Sequence, residues 1–252
     1  MTLFKYELRR ILCNKFFAGL LIVTLLYSYQ VMALETVLGT ANTAPFSGWS
    51  FGMYLSRVLP FLLITLLFFV SFFYSRQEQE VRRITDTTPM DQKRLGLLRC
   101  GAMMTGYLCI AIASISVSLV FYAVNFHYTN FGGFILPALL TLIPALLFIL
   151  GIGILLGKMH PALIYALMPL VFLLGYLPLP NTLDLFGSGF FQRMPMSLPI
   201  GAGGEPAFTV PLPVLLGKSL YAAAGILLII IALSPRSGRS RQIHKVKAGT
   251  SK

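Results

Sequence analysis

The chain has 252 residues, of which 56% are hydrophobic and only 11% are charged, and its formal net charge at pH 7 is +12. Soluble domains carry about 25% charged residues, so this composition excludes an ordinary soluble protein. Positive charge can also indicate nucleic-acid binding, but that function needs a folded basic face with interleaved aromatic residues, and no such segment occurs outside the apolar stretches.

Six apolar stretches have about the length of a membrane-crossing helix. Such a helix needs about 20 predominantly apolar residues, because each residue rises about 1.5 Å through about 30 Å of hydrocarbon. The fifth stretch is short and is ended by Pro178 and Pro180. The sequence therefore predicts an all-α membrane protein with six transmembrane helices. In chain order, the predicted spans are Lys15–Ala33, Phe51–Tyr74, Gly101–Val124, Phe134–Leu156, Ala162–Leu177 and Leu212–Leu233.

Residues 1–15, before the first span, are predicted to form an amphipathic helix. Apolar residues recur there at spacings of three and four, and most polar residues fall elsewhere on the helix. A basic helix of this kind lies in the inner membrane interface. It can serve only to orient the first span, or it can also meet a cytoplasmic partner. The apolar stripe is Phe4, Leu8, Ile11, Leu12 and Phe16, and the polar set is Lys5, Glu7, Arg9, Arg10 and Asn14.

The 75–99 connection after the second span carries six basic and four acidic residues. No helix breaker occurs as far as Ile84, so the second span is expected to continue as a helix beyond Tyr74. A mixed-charge surface of this kind suits the docking of another protein. It can equally be a solvated hairpin on the inner side of the membrane.

A sharp turn is predicted within that connection at Thr87, Thr88 and Pro89. Proline disfavours a helical conformation in the residue before it, so the first helix ends here. A second helix can start at the same place, with Thr88 as N-cap, Pro89 in the first position and Asp91 close to the positive end of the helix dipole. The connection is therefore expected to form a helix, a turn and a short helix.

Glycines recur in the fourth span at Gly151, Gly153 and Gly157. Small residues let membrane helices approach closely, so this span is expected to pack tightly. The longest external connection, residues 178–212, is rich in proline. Its segment Leu183–Met194 predicts a short interfacial or re-entrant helix, with a plain surface connector as the alternative.

Arg57 and Lys218 are the charges that lie well inside predicted spans. Counted at about 1.5 Å per residue, each lies about 9 Å from the outer end of its helix. Such cations can extend to the outer headgroups. Alternatively, they can line an outward vestibule that engages an anionic or headgroup-bearing substrate. Both residues are therefore candidates for a substrate pathway.

Most of the 20 basic residues lie in four segments: the N-terminus, the 75–99 connection, the link after the fourth span, and the tail. The positive-inside rule therefore predicts that both termini are cytoplasmic. Residues 1–235 are predicted to form one transmembrane domain, and residues 236–252 a basic cytoplasmic tail.

Residues that could carry chemistry are sparse. The three histidines belong to different connections and the three cysteines form no pair, so no metal site or disulfide is predicted. Gly217-Lys218-Ser219 is similar to the end of an ATP-binding P-loop, but position 212 is Leu where that motif requires Gly. No catalytic residue and no cofactor bound by this chain are predicted.

Three features together resemble the permease subunit of ABC-2 type exporters. They are the basic start Phe4-Lys-Tyr-Glu-Leu-Arg-Arg-Ile, the six spans, and the Glu-containing run with Thr-Asp-Thr-Thr-Pro after the second span. The resemblance implies that the 75–99 connection carries a cytoplasmic coupling helix, which inserts into a separate ATPase subunit and transmits its closure. Arg99 stands where the family commonly has Lys, so the charge is kept. The implied coupling residues are Glu78, Glu80, Arg82, Arg83, Thr87, Thr88, Pro89, Met90 and Asp91.

The resemblance also implies partners and a location. The chain would lie in a bacterial plasma membrane, surrounded by lipids and paired with a second copy or a similar permease. ATP and Mg would be bound by the partner ATPase. Two alternatives belong to other classes: a non-transporting immunity or sensor protein, and an intramembrane enzyme, which the lack of a catalytic pair disfavours. Co-purification with an ATPase separates the exporter from both.

Overall fold

The computed structural model describes residues 2–41, 43–75, 78, 92–177, 179–201 and 206–234. Within these ranges every regular element is helical. Most of the predicted coupling segment and the predicted tail, 236–252, lie outside the described residues. The helices are α1 (Thr2–Leu12), α2 (Lys15–Leu34), α3 (Gly48–Phe73), α4 (Gln92–Phe126), α5 (Ile135–Met159), α6 (Pro161–Tyr176), α7 (Ser188–Ser197) and α8 (Leu212–Leu233), with 3₁₀ turns at Thr36–Leu38 and Phe131–Phe134.

Five helices, α2, α3, α4, α5 and α8, are long and apolar enough to cross a membrane. This confirms the prediction of a helical protein with several spanning segments for the described residues. The fifth predicted span corresponds to α6, which is apolar but has only 16 residues. At about 1.5 Å per residue it rises about 24 Å, less than the thickness of the hydrocarbon. The described residues therefore contain five helices of spanning length and one shorter apolar helix.

Helix α3 forms the centre of the bundle. Most of its side chains are buried, and it contacts α2, α4, α5, α6 and α7. A helix that is apolar on every side is stable only when other apolar elements surround it, which explains why α3 takes this position. Its start is fixed by Ser47, whose side chain accepts a hydrogen bond from the amide of Ser50.

Helix α1 occupies Thr2–Leu12 of the segment in which an amphipathic helix was predicted, but its faces differ from the prediction. Ile11 belongs to the buried core and Phe4 packs against that core, so part of the apolar stripe contacts protein. Glu7, predicted to lie on the polar face, is 3% exposed. Phe4, Glu7 and Ile11 follow a spacing of three and four, so the buried face of α1 includes a carboxylate. That face packs mainly on α4.

Helices α5 and α8 touch through their backbones. A Cβ atom on Gly151 of α5 would lie 2.7 Å from the carbonyl oxygen of Gly225 in α8, and one on Gly225 would lie 2.5 Å from the carbonyl oxygen of Leu147. Real Cβ atoms do not approach other atoms so closely. The predicted close packing of the fourth span is therefore confirmed at Gly151, and its partner is Gly225.

This contact predicts the effect of adding one methyl group. Gly225→Ala should destabilise the protein by about 1–3 kcal/mol, because overpacking forces the two helices apart. Gly19→Ala is the matched control, since Gly19 is also helical but a Cβ atom added there would meet nothing within 4 Å. Thermal unfolding of both variants in detergent tests this. Equal melting temperatures for the two variants would contradict the contact.

Candidate functional site

Two arginines and two glutamates from three parts of the chain meet beyond the end of α3. We call Glu7, Arg10, Glu78 and Arg99 the charge cluster. Arg10 Nη1 lies 3.1 Å from Glu7 Oε2, and Arg10 Nη2 lies 2.7 Å from Glu78 Oε2. Arg99 Nε lies 3.3 Å from Glu7 Oε1, and Arg99 Nη2 contacts Glu78 Oε1. Each carboxylate thus bridges both guanidinium groups, and the four charges sum to zero.

The charge cluster is largely shielded from solvent. The side chains of Glu7 and Glu78 are 4% and 3% exposed, and that of Arg99 is 15% exposed. Phe72 and Phe73 at the end of α3 contact the guanidinium groups of Arg10 and Arg99 at 5.3 and 5.4 Å. Removing charges from water is costly unless each is paired and hydrogen-bonded, and here each has two partners.

Electrostatics keep Arg10 firmly charged. Burial alone acts to lower the pKa of Arg10, but the hydrogen bond to Glu78 and the negative charges of Glu78 and Glu7 outweigh it, so the pKa lies above its ordinary value. Arg10 therefore remains a cation across the physiological pH range and can hold both carboxylates at once.

Local sequence explains how the cluster assembles. Glu7 and Arg10 are three residues apart on α1 and therefore share one helix face. Glu78 follows the end of α3, where its backbone amide donates to Ser75 Oγ at 3.4 Å. Arg99 lies two turns into α4. The cluster thus joins α1, the chain after α3, and α4.

Of the predicted coupling residues, Glu78 lies within the described part of the chain. Its carboxylate is directed into the cluster, so within this chain it positions helices. Contact between Glu78 and an ATPase stays a prediction. The sequence interpretation missed that Glu78 pairs with Arg10 and Arg99, and that Glu7 pairs with the same two arginines. The position of Glu7 between Phe4 and Ile11 on one face of α1 was a usable signal. Outside the described residues lie Glu80, Arg82, Arg83, Thr87, Thr88, Pro89, Met90 and Asp91.

Arg57, the first candidate for a substrate pathway, borders a cavity of about 200 Å³ at the start of α3. Its Nε lies 3.4 Å from Glu35 Oε2, and its guanidinium group stacks on the ring of Tyr176 at 5.7 Å. The Tyr176 hydroxyl is 3.1 Å from that of Tyr27. Arg57 is thus placed where a small molecule could reach it.

Lys218, the second candidate, occupies a different environment. It is 3% exposed, and its Nζ donates to the carbonyl oxygen of Leu185 at 2.6 Å. One turn later, the Tyr221 hydroxyl donates to the carbonyl oxygen of Leu183 at 2.8 Å. These two bonds attach the external connection to α8. Lys218 does not line the cavity beside Arg57, so the structure does not bring the two candidates together.

The connection between α6 and α8 contains a short helix, α7, which overlaps the predicted segment Leu183–Met194 over residues 188–194. Asp184 caps it, accepting hydrogen bonds from the amides of Gly187 and Gly189, both at 2.8 Å. Gly187 has φ of 89°, a left-handed conformation that favours glycine. Phe190 and Phe191 of α7 are buried against Trp49 and its neighbours. The connection is therefore fixed to the N-terminal end of α3.

The charge cluster predicts different effects for two adjacent arginines. Arg10→Gln should lower the free energy of unfolding by about 1.5–3 kcal/mol, because it removes charged hydrogen bonds to two buried carboxylates. Arg9→Gln makes the same chemical change on the exposed side of α1 and should have an effect within about 0.5 kcal/mol. Thermal or denaturant unfolding in detergent measures both. A loss of stability for Arg9→Gln as large as that for Arg10→Gln would contradict the cluster's role.

Comparison of the chain with protein-family models, with curated proteins and with solved structures gave no match. A functional interpretation therefore depends on two observations. One is the resemblance of the N-terminal and 75–99 segments to ABC-2 type permeases. The other is the geometry of the charge cluster and of the cavity beside Arg57.

Proposed function

We propose that this chain is the permease subunit of an ATP-driven exporter of the ABC-2 type. In this proposal it lies in a bacterial plasma membrane, pairs with a second copy or a similar permease, and receives energy from a separate cytoplasmic ATPase that binds ATP and Mg. One observation carries the proposal. Glu78, the first acidic residue of the segment that resembles a coupling helix, is held between Arg10 of α1 and Arg99 of α4.

The charge cluster would transmit a movement of the docked segment to α1 and α4. An ATPase docked on residues 79–91 would displace the chain next to Glu78. Breaking a buried ion pair costs about 3–5 kcal/mol, so the two arginines would follow the carboxylate. Arg99 belongs to a helix of 35 residues, about 50 Å long. Movement at the inner end of α4 would therefore reach the other end of the bundle.

The packing of the bundle supports a pathway between two chains. The described core around α3 is filled by apolar side chains, many of them fully buried. A cargo would need space that this core does not offer. Helices α2 and α8 expose many large apolar side chains, such as Leu26 and Leu220 at 66% and 70% exposure. These faces would contact lipid or a second permease.

The coupling assignment predicts the behaviour of two variants. Glu80→Lys and Pro89→Leu should still insert into the membrane but should weaken co-purification with the ATPase or uncouple its hydrolysis from export. The reason is that one reverses a charge and the other removes the turn of the docking segment. Affinity purification from the native host, with ATPase activity measured on the product, tests this.

Lys245→Glu is the control, because it reverses a charge in the tail that is predicted to lie on the same side of the membrane. Normal complex formation and coupled transport in both Glu80→Lys and Pro89→Leu would refute the coupling role. Failure of the wild-type chain to recover any ATPase would instead favour a non-transporting membrane protein.

The two pathway candidates predict separable defects. At matched protein levels, Arg57→Gln should impair export more than Lys218→Gln, because Arg57 borders a cavity and its guanidinium can bind phosphate or carboxylate through two donors. Lys218→Gln should mainly lower the melting temperature, because it loosens the bond to Leu185. Cargo export from proteoliposomes and thermal unfolding measure the two effects. Unchanged export by Arg57→Gln would remove Arg57 from the pathway.

A further inference from the structure

The cavity beside Arg57 is walled by three parts of the chain. The end of α2 and the turn after it contribute Glu35 and Thr36, α3 contributes Tyr54 and Arg57, and α7 contributes Gln192. The segments come from distant parts of the sequence, so the cavity exists only in the folded protein. It lies on the side that the charge distribution predicts to be external.

The only two charged residues in the described lining, Arg57 and Glu35, form a loose pair. Arg57 Nε and Glu35 Oε2 are 3.4 Å apart, but the arrangement lacks hydrogen-bond geometry, and the buried Nε has no acceptor. The Glu35 side chain is 55% exposed. The Arg57 side chain as a whole is 28% exposed, so its guanidinium group borders the cavity although Nε itself is buried.

The two charges disfavour any ligand that carries charge of only one sign. Glu35 would repel a purely anionic ligand, and Arg57 would repel a purely cationic one. A ligand that carries both charges close together satisfies both residues. Guanidinium groups bind phosphate through two parallel hydrogen bonds, and the exposed carboxylate can accept hydrogen bonds from a primary ammonium group.

The volume of the cavity and the side chains around it further restrict which ligands can bind. Drug-sized ligands occupy pockets of about 300–1,000 Å³, whereas this cavity has about 200 Å³. It therefore holds a small headgroup, with the rest of the ligand outside. Leu34, Leu38 and Met196, beside or within the lining, are 64%, 83% and 66% exposed. Apolar side chains at such exposure suit contact with acyl chains.

We infer that this cavity binds the headgroup of a zwitterionic amphiphile, with a phosphate on Arg57 and an ammonium group on Glu35. The inference does not depend on the proposed transport, because binding requires no ATPase and no movement of cargo. A membrane phospholipid and a soluble molecule of the same headgroup chemistry could each supply these groups.

The test uses the purified full-length protein in detergent with equal amounts of phosphatidylethanolamine and phosphatidylglycerol. Mass spectrometry then measures the lipid retained after washing. The wild type should be enriched in phosphatidylethanolamine. Arg57→Gln should lose about tenfold or more of that binding, because the variant removes the charged hydrogen bonds to the phosphate. Glu35→Gln should reverse the preference toward phosphatidylglycerol, because Arg57 alone selects an anion.

Arg193→Gln is the control, because Arg193 is exposed on α7 and does not line the cavity; it should keep the wild-type preference. Equal retention of both lipids by the wild type, or an unchanged preference in Glu35→Gln, would overturn the inference. Glu35 is largely exposed, so its variant keeps the test decisive even where Arg57→Gln fails to fold. Thermal unfolding checks folding in every case.

A competition experiment then identifies the source of the headgroup. Free phosphoethanolamine is titrated into the complex of protein and phosphatidylethanolamine. Displacement of the lipid would show that the headgroup alone binds, so a soluble zwitterion is sufficient. Retention of the lipid, together with its enrichment in the wild type, would show that the acyl chains are needed and that the ligand is a membrane phospholipid.

Discussion

The cost of placing charge in apolar surroundings governs this molecule. Within the described residues, each of the four carboxylates has a specific partner: Glu7 and Glu78 share two arginines, Glu35 faces Arg57, and Asp184 accepts from backbone amides. Lys218 likewise donates to a carbonyl oxygen. An unpaired charge at the buried positions Glu7, Glu78, Asp184 and Lys218 would cost several kcal/mol, so those pairings fix the relative position of the elements that supply them.

Two ion-paired sites lie at opposite ends of the bundle, and they differ in how completely their charged groups are hydrogen-bonded. In the charge cluster every carboxylate oxygen has a guanidinium partner, and aromatic rings from α3 cover the arginines. At the other end, Arg57 and Glu35 lie at contact distance without hydrogen-bond geometry, beside a cavity. A closed cluster holds helices together, whereas a loose pair beside a cavity can exchange its partner for a ligand. In the two proposals made above, the same chemistry would connect helices at one end and bind a ligand at the other.

Sequence patterns were sufficient to predict the helices but not to predict which residues pair with the charged side chains. The length and hydropathy of the segments predicted the spanning helices, because those depend on local composition. Pro178 and Pro180 marked the end of α6, and the predicted span Ala162–Leu177 already had the 16 residues that the helix has. Glu7 was placed on a polar face, since periodicity does not reveal that its partner Arg99 lies 92 residues away. The burial of Lys218 could not be predicted from the sequence either, because it depends on the path of the connection between α6 and α8.

Helix α3 connects the two ends of the bundle, where the cavity and the charge cluster lie. It carries Arg57 near its start and leads directly to Glu78 after its end, so one buried helix links the cavity to the charge cluster. Close packing on several sides prevents α3 from bending freely. Pro60, one turn beyond Arg57, is the exception, because proline removes one backbone hydrogen bond and allows a kink. In the proposed mechanism, a displacement of α3 at the charge cluster would bend the helix at Pro60. It would thereby change the position of Arg57 relative to Glu35, which lies at the end of a different helix, α2.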